Sequence, residues 1–80
     1  PTAELAEEDF SDGSIDLIGI LTAAKLVPTR SEGRRAIEQG GVAVNDEKIT
    51  DIKKVYTKDE IAAGEFIVRR GKKNFCKILV

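Results

Sequence analysis

Histidine, tryptophan and methionine are absent from this 80-residue chain, and cysteine and tyrosine occur once each. Without histidine there is no imidazole base, no His-containing zinc site and no serine-protease triad. A single cysteine, Cys76, cannot close an internal disulfide, which points to a reducing compartment. Long apolar runs are missing too. The stretch Leu17-Ile18-Gly19-Ile20-Leu21 is far too short to span a bilayer, and the first residues do not read as a signal segment. The chain starts at Pro1 and is expected to be a piece of a longer protein. A domain of this size leaves roughly 40% of its unfolded surface exposed. It can hold one modest core but no large enclosed active site.

Catalysis finds little support. Acids are plentiful, yet none forms a pair set in an apolar pocket. Asp46, Glu47 and Asp51 do not follow the order of a calcium loop and read as a solvated turn. Gly40-Gly41 lacks a phosphate-loop pattern, and Cys76 reads as a buried structural thiol. No catalytic, metal-ligating or cofactor-binding residue is therefore expected.

The formal net charge of -1 hides an asymmetry. Residues 1–16 carry six acids and no base, whereas residues 17–80 carry 13 bases and eight acids. Arg69, Arg70, Lys72, Lys73 and Lys77 fall within nine residues that contain no acid. Local charge is the better guide to partners. It fits either a solvated basic surface or a face that binds a polyanion such as nucleic acid. A third arrangement folds the acidic segment over the basic face when no ligand is present.

Residues 1–13 read as an acidic flexible linker with little to pack against, followed by one domain over residues 14–80. A first helix is expected after Ser14 as its cap, with Asp16 in the first turn and a stripe of Leu17, Ile18, Leu21 and Ala24. Pro28 should end it. A second helix follows, with the capping-box spacing Thr29/Glu32 and a close-packing face of Gly33, Ala36 and Ile37. Gly40 or Gly41 closes it. Val42–Val44 reads as a strand, Asn45-Asp46 as a turn and Lys48-Ile49 as the returning strand. Ile52, Val55 and Tyr56 suggest another extended stretch. Thr57/Glu60 repeats the capping-box spacing before one helical turn over residues 58–62. Residues 65–80 read as a hairpin turning at Arg70-Gly71-Lys72-Lys73.

Arg30, Arg34 and Arg35 crowd the start of the second helix, and arginine's planar fork suits phosphate. Lys72 and Lys73 occupy the hairpin tip, and Asn74 adds a directional hydrogen bond. Such contacts fix register more than they read bases. With few exposed aromatics expected for stacking, structured RNA read by shape is favoured over single strands.

The stretch Thr29-Arg30-Ser31-Glu32-Gly33-Arg34-Arg35-Ala36-Ile37, followed by Gln39-Gly40-Gly41-Val42-Ala43-Val44-Asn45-Asp46, resembles the S4 domain, a small RNA-binding module. Counting the preceding helix, the likeness runs from about Ile15 to Val80. Glu38-Gln39-Gly40-Gly41-Val42 and the ending Phe66-Ile67-Val68-Arg69-Arg70-Gly71-Lys72-Lys73-Asn74-Phe75 are most similar to the C-terminal domain of bacterial tyrosyl-tRNA synthetases. The resemblance implies an α+β fold, two N-terminal helices packed on a small, mostly antiparallel sheet. It implies binding of tRNA-Tyr through its variable arm and anticodon stem, with Arg30, Arg34, Arg35, Lys72, Lys73 and Asn74 as RNA contacts. It also implies a cytoplasmic, non-catalytic and monomeric fragment of a homodimeric parent, whose separate catalytic domain uses ATP to join tyrosine to tRNA. Two departures stand out: Gly33 replaces the usual alanine, and Asp46 the usual glycine after asparagine. The alternatives are the S4 module of an rRNA-modifying enzyme or ribosomal protein, and a protein-docking domain without RNA affinity.

Overall fold

The structure, a computed structural model, describes residues 2–71 and 73–80. Its strands are β1 (Thr2–Glu4), β2 (Ser14–Asp16), β3 (Val42–Val44), β4 (Glu47–Lys48), β5 (Val55–Thr57), β6 (Ile67–Arg70) and β7 (Asn74–Leu79). Its helices are α1 (Leu17–Ala23), α2 (Arg30–Glu38) and α3 (Lys58–Ala62). Five strands form one sheet in the order β1-β7-β6-β3-β4, and β2 pairs with β5 in a second, two-stranded sheet. Every pairing is antiparallel except β1 on β7. This is the expected α+β arrangement of helices on a mostly antiparallel sheet.

The core follows from residue spacing. On α1, Leu17, Ile18, Ile20 and Leu21 are buried; on α2, Gly33, Ala36 and Ile37. A methyl group at Gly33 would lie 3.3 Å from both Ile18 and Val27, so the missing side chain lets α2 settle close to α1. On the sheet, Val42, Val44, Val68, Cys76 and Ile78 alternate inward. Cys76 is thus a buried, free thiol, as its strand position suggested. Tyr56 and Phe66 meet edge to face at 4.9 Å and tie the small sheet to the large one.

Three local expectations need correction. Helix α1 starts at Leu17 rather than after Ser14. Asp16 is its N-cap, accepting from the Gly19 N–H at 2.9 Å, while Ser14–Asp16 forms β2 against β5. Burial of Ile15 opposite Tyr56 keeps those residues extended, and the Asp16 carboxylate, two residues after Ser14, takes over the cap. Helix α1 also stops well before Pro28. Lys25 adopts φ 61°, and the N–H groups of Lys25 and Leu26 return to Thr22 and Leu21 in a Schellman closure. The Thr29 hydroxyl caps α2 as expected by accepting from Glu32 N–H, but Glu32 turns to Arg35 at 3.4 Å instead of completing a capping box. The box forms in full at Thr57/Glu60, where α3 occupies the expected residues.

The acidic first segment has more to pack with than expected. β1 extends the open edge of β7, Leu5 N–H donates to Leu79 C=O at 2.8 Å, and Leu5 is buried. Ala3 and Phe10 pack against the same core. Three apolar residues among the acids are enough to cover that edge.

Because Lys25 holds the left-handed conformation that glycine enters freely, Lys25→Gly should stabilise the chain by roughly 1 kcal/mol. The check is a higher urea midpoint at unchanged slope.

Candidate nucleic-acid interface

All three arginines of α2 lie on its exposed surface, and each meets an acid of the same chain. Arg30 reaches Asp16 through both terminal nitrogens, Arg34 Nε lies 3.7 Å from Glu38, and Arg35 lies 3.4 Å from Glu32. Their side chains stay 62%, 61% and 65% exposed, so water and anions still reach them. Pairs of this kind contribute only about 0–1 kcal/mol and exchange partners readily.

Arg30 stands apart because its partner is also the α1 cap. A Cβ at Gly19 would sit 2.7 Å from the Asp16 carboxylate, so glycine here clears space for the capping oxygen. Partial burial pulls the Asp16 carboxyl up. The hydrogen bonds from Arg30 and Gly19 N–H, with the Arg30 charge, outweigh that and hold it below its ordinary value. Arg30 therefore clamps the first turns of α1 and α2 together as well as presenting charge.

The hairpin tip meets the other end of α2. Gly40 takes φ 72° and closes the helix, and Gly71 N–H donates to Gly41 C=O at 2.7 Å. Ala36, Gln39 and Gly41 share a shallow recess with Arg70, Gly71 and Asn74. Lys48 lies over Gly40, and Arg69 lines the neighbouring surface. Arg35 is four residues before Gln39 and so shares the flank that faces the hairpin. Arg30 and Arg34 lie on another flank, Arg34 about 140° round the axis from Gln39. The recess at the α2 C-terminus thus holds Arg70 and Asn74, with exposed Lys73 next to Asn74 in the chain, while Arg35 lies one turn back on the Gln39 flank and Arg30 and Arg34 lie round the side of α2. Lys72 lies outside the described residues.

Lys48, Arg69 and Arg70 also lie at the junction of α2 with the hairpin, although they are not among the contacts expected from the sequence. Arg69 and Arg70 could have been found from the acid-free run that contains them. Lys48 could not, because its place depends on the turn before it. That turn keeps both central residues left-handed, Asn45 at φ 49° and Asp46 at φ 68°. Asn45 ties it to β6 by accepting from Ile67 N–H at 2.9 Å, while Asp46 pairs with Arg69 at 3.0 Å. Aspartate thus takes the backbone shape that glycine would favour, and its carboxylate draws on one of the basic side chains.

Among the described residues, no cluster of three or more acids, histidines or cysteines is placed to hold a metal, and no helix is long and apolar enough to cross a membrane. The family described as Tyrosine--tRNA ligase SYY-like C-terminal domain matches residues 1–78. The chain is 44% identical over 80 residues to a tyrosine--tRNA ligase of Clostridium botulinum (strain Loch Maree / Type A3), covering all of this chain and 19% of the relative. It is 41% identical over 78 residues to that of Acetivibrio thermocellus, covering 98% of this chain and 19% of the relative. The enzyme of Clostridium tetani is 39% identical over 80 residues, again with all of this chain and 19% of the relative covered. The chain therefore spans about a fifth of the length of these relatives.

Two outcomes follow from the carboxylates. The folded Asp16 pKa lies below the unfolded reference of 3.8, so its contribution to stability is complete above that value and is lost as pH falls through the lower, folded pKa. Asp16→Asn should flatten that acid limb in urea titrations at a series of pH values. Asp46→Gly should relieve the turn by roughly 1 kcal/mol and raise the urea midpoint.

Proposed function

The chain belongs to the Tyrosine--tRNA ligase SYY-like C-terminal domain family, and from that premise we propose that it binds structured RNA as the tRNA-holding appendage of a tyrosine--tRNA ligase. The RNA is tRNA-Tyr, held along its variable arm and anticodon stem. The observation that carries this reading is the meeting of the α2 C-terminus with the basic hairpin, joined by the Gly71–Gly41 hydrogen bond. Arg35, Lys72, Lys73 and Asn74 make the contacts on the hairpin side, and Arg34 reaches the same RNA from the other flank of α2. Arg30 adds charge at the far end of α2 while bracing Asp16.

The mechanism is positional. Guanidinium and ammonium groups displace condensed counterions from the phosphates, and the gain in affinity falls steeply with salt. The surface formed by α2 and the hairpin then orients the RNA by shape, so that its acceptor end is presented to the remainder of the parent chain. That remainder would use ATP to activate tyrosine. The present residues do not suit ATP: Gly40-Gly41 sits at the carbonyl end of α2, where partial negative charge opposes a triphosphate. The module itself performs no chemistry and acts as a monomer within a homodimeric, cytoplasmic parent.

The test is a titration of this chain with tRNA-Tyr, a tRNA with a short variable arm and duplex DNA at several salt concentrations. The expected order is tRNA-Tyr tightest, with log affinity falling linearly in log salt. Arg35→Glu and Lys73→Glu should each weaken binding and lower that slope by about one. Equal, near-zero binding to all three at low salt would overturn the reading, and loss of a protein contact with RNA binding intact would point to a docking domain.

A further inference from the structure

The outward face of the large sheet carries a feature that shape recognition of a duplex does not use. Along β7, Cys76 and Ile78 point into the core, so Phe75, Lys77 and Leu79 point out. Phe75 is 50% exposed, although a phenyl ring carries no polar group to reward exposure. Arg69 of β6 stands directly opposite it in the strand register. Asn45, Asp46, Glu65, Ile67, Arg69 and Phe75 surround a recess of about 440 Å³ beside the ring. Its volume lies in the range of small-ligand sites.

We infer that this face is a subsite for one unpaired nucleotide of the bound RNA, its base stacked on Phe75 and its phosphate drawn to Arg69 and Lys77. The inference rests on the RNA-binding reading and adds a contact of a different kind to it. A base offers a flat π-face to an aromatic ring, and a sheet surface leaves that ring open from above. Charge selects RNA over an apolar protein segment as occupant. Lys77 shares the outward face with Phe75 and Arg69 stands opposite the ring, so an apolar partner would have to strip water from both cations and from the Asp46 and Glu65 carboxylates of the rim. The Asp46 carboxylate holds the Arg69 guanidinium at 3.0 Å, fixing a donor group beside the stacking position. The amide of Asn45 and the carboxylates of Asp46 and Glu65 give the rim both donors and acceptors for a base edge.

The experiment compares two RNAs on the 80-residue chain: a stem-loop with a 2-aminopurine in its unpaired loop, and a duplex of the same length with no unpaired base. Wild type should bind both, with the stem-loop tighter and its 2-aminopurine fluorescence quenched. Phe75→Ala should weaken the stem-loop about tenfold and abolish the quench while leaving the duplex unchanged. Phe75→Tyr should restore both readouts, which a merely structural role for the ring would not predict. If Phe75→Ala binds both RNAs like wild type, the subsite is wrong and the wider RNA-binding reading survives. If wild type binds neither RNA at low salt, that wider reading fails instead. A full-length parent in which Phe75 is protected from solvent without RNA would assign the face to a neighbouring domain and overturn the subsite.

Discussion

One hydrogen bond joins the end of α2 to the last hairpin: Gly71 N–H to Gly41 C=O at 2.7 Å. It requires α2 to end sharply, which Gly40 provides at φ 72° with Gly41 N–H returning to Ala36 C=O. It also requires space, because a Cβ on Gly40 would lie 2.4 Å from Lys48 Cε. Through that junction the short hairpin and the long hairpin bring Lys48, Arg69 and Arg70 beside the C-terminal end of α2. None of these elements is long enough to hold such an arrangement alone.

Much of this was written in local sequence signals. The Thr57/Glu60 box, the Asn45-Asp46 turn, the Gly40 closure and the small-residue face of α2 each depend on residues within one or two turns of chain. Misreadings arose where distant contacts decide. Ser14 is an acceptable cap in isolation, but Ile15 is committed to the strand opposite Tyr56, and the cap moves to Asp16. Pro28 is a valid helix stop, yet the Schellman closure at Lys25 has already ended α1. The acidic opening looks unattached until the open edge of β7 is known.

The candidate site was legible in its parts and less so in its arrangement. Helical spacing placed Arg30 and Arg34 together and Arg35 apart, and that division holds. What spacing could not supply is which flank the hairpin meets, since this depends on the crossing of chain segments some thirty residues apart. Near its end β7 also alternates Phe75, Lys77 and Leu79 with Cys76, Ile78 and Val80, so spacing alone offers an apolar residue to either face. Only the packing of Cys76 and Ile78 turns Phe75 outward, where an aromatic was not expected.

Charge explains why a chain with net charge -1 can still be read as an RNA binder. Its acids are not spread evenly against its bases. Asp16 and Glu7 of the opening segment meet Arg30 and Lys58, away from the hairpin tip, and Glu38, Glu32 and Asp46 each hold one arginine by its own element or neighbour. In water such exposed pairs lie close to balance, so they order the guanidinium forks without locking them. A phosphate backbone offers each fork a second anion together with the entropy of released counterions. On the proposed reading, exchanging Glu32, Glu38 and Asp46 for phosphates would cost little, and the local field around Arg70, Lys73 and Lys77 would govern encounter.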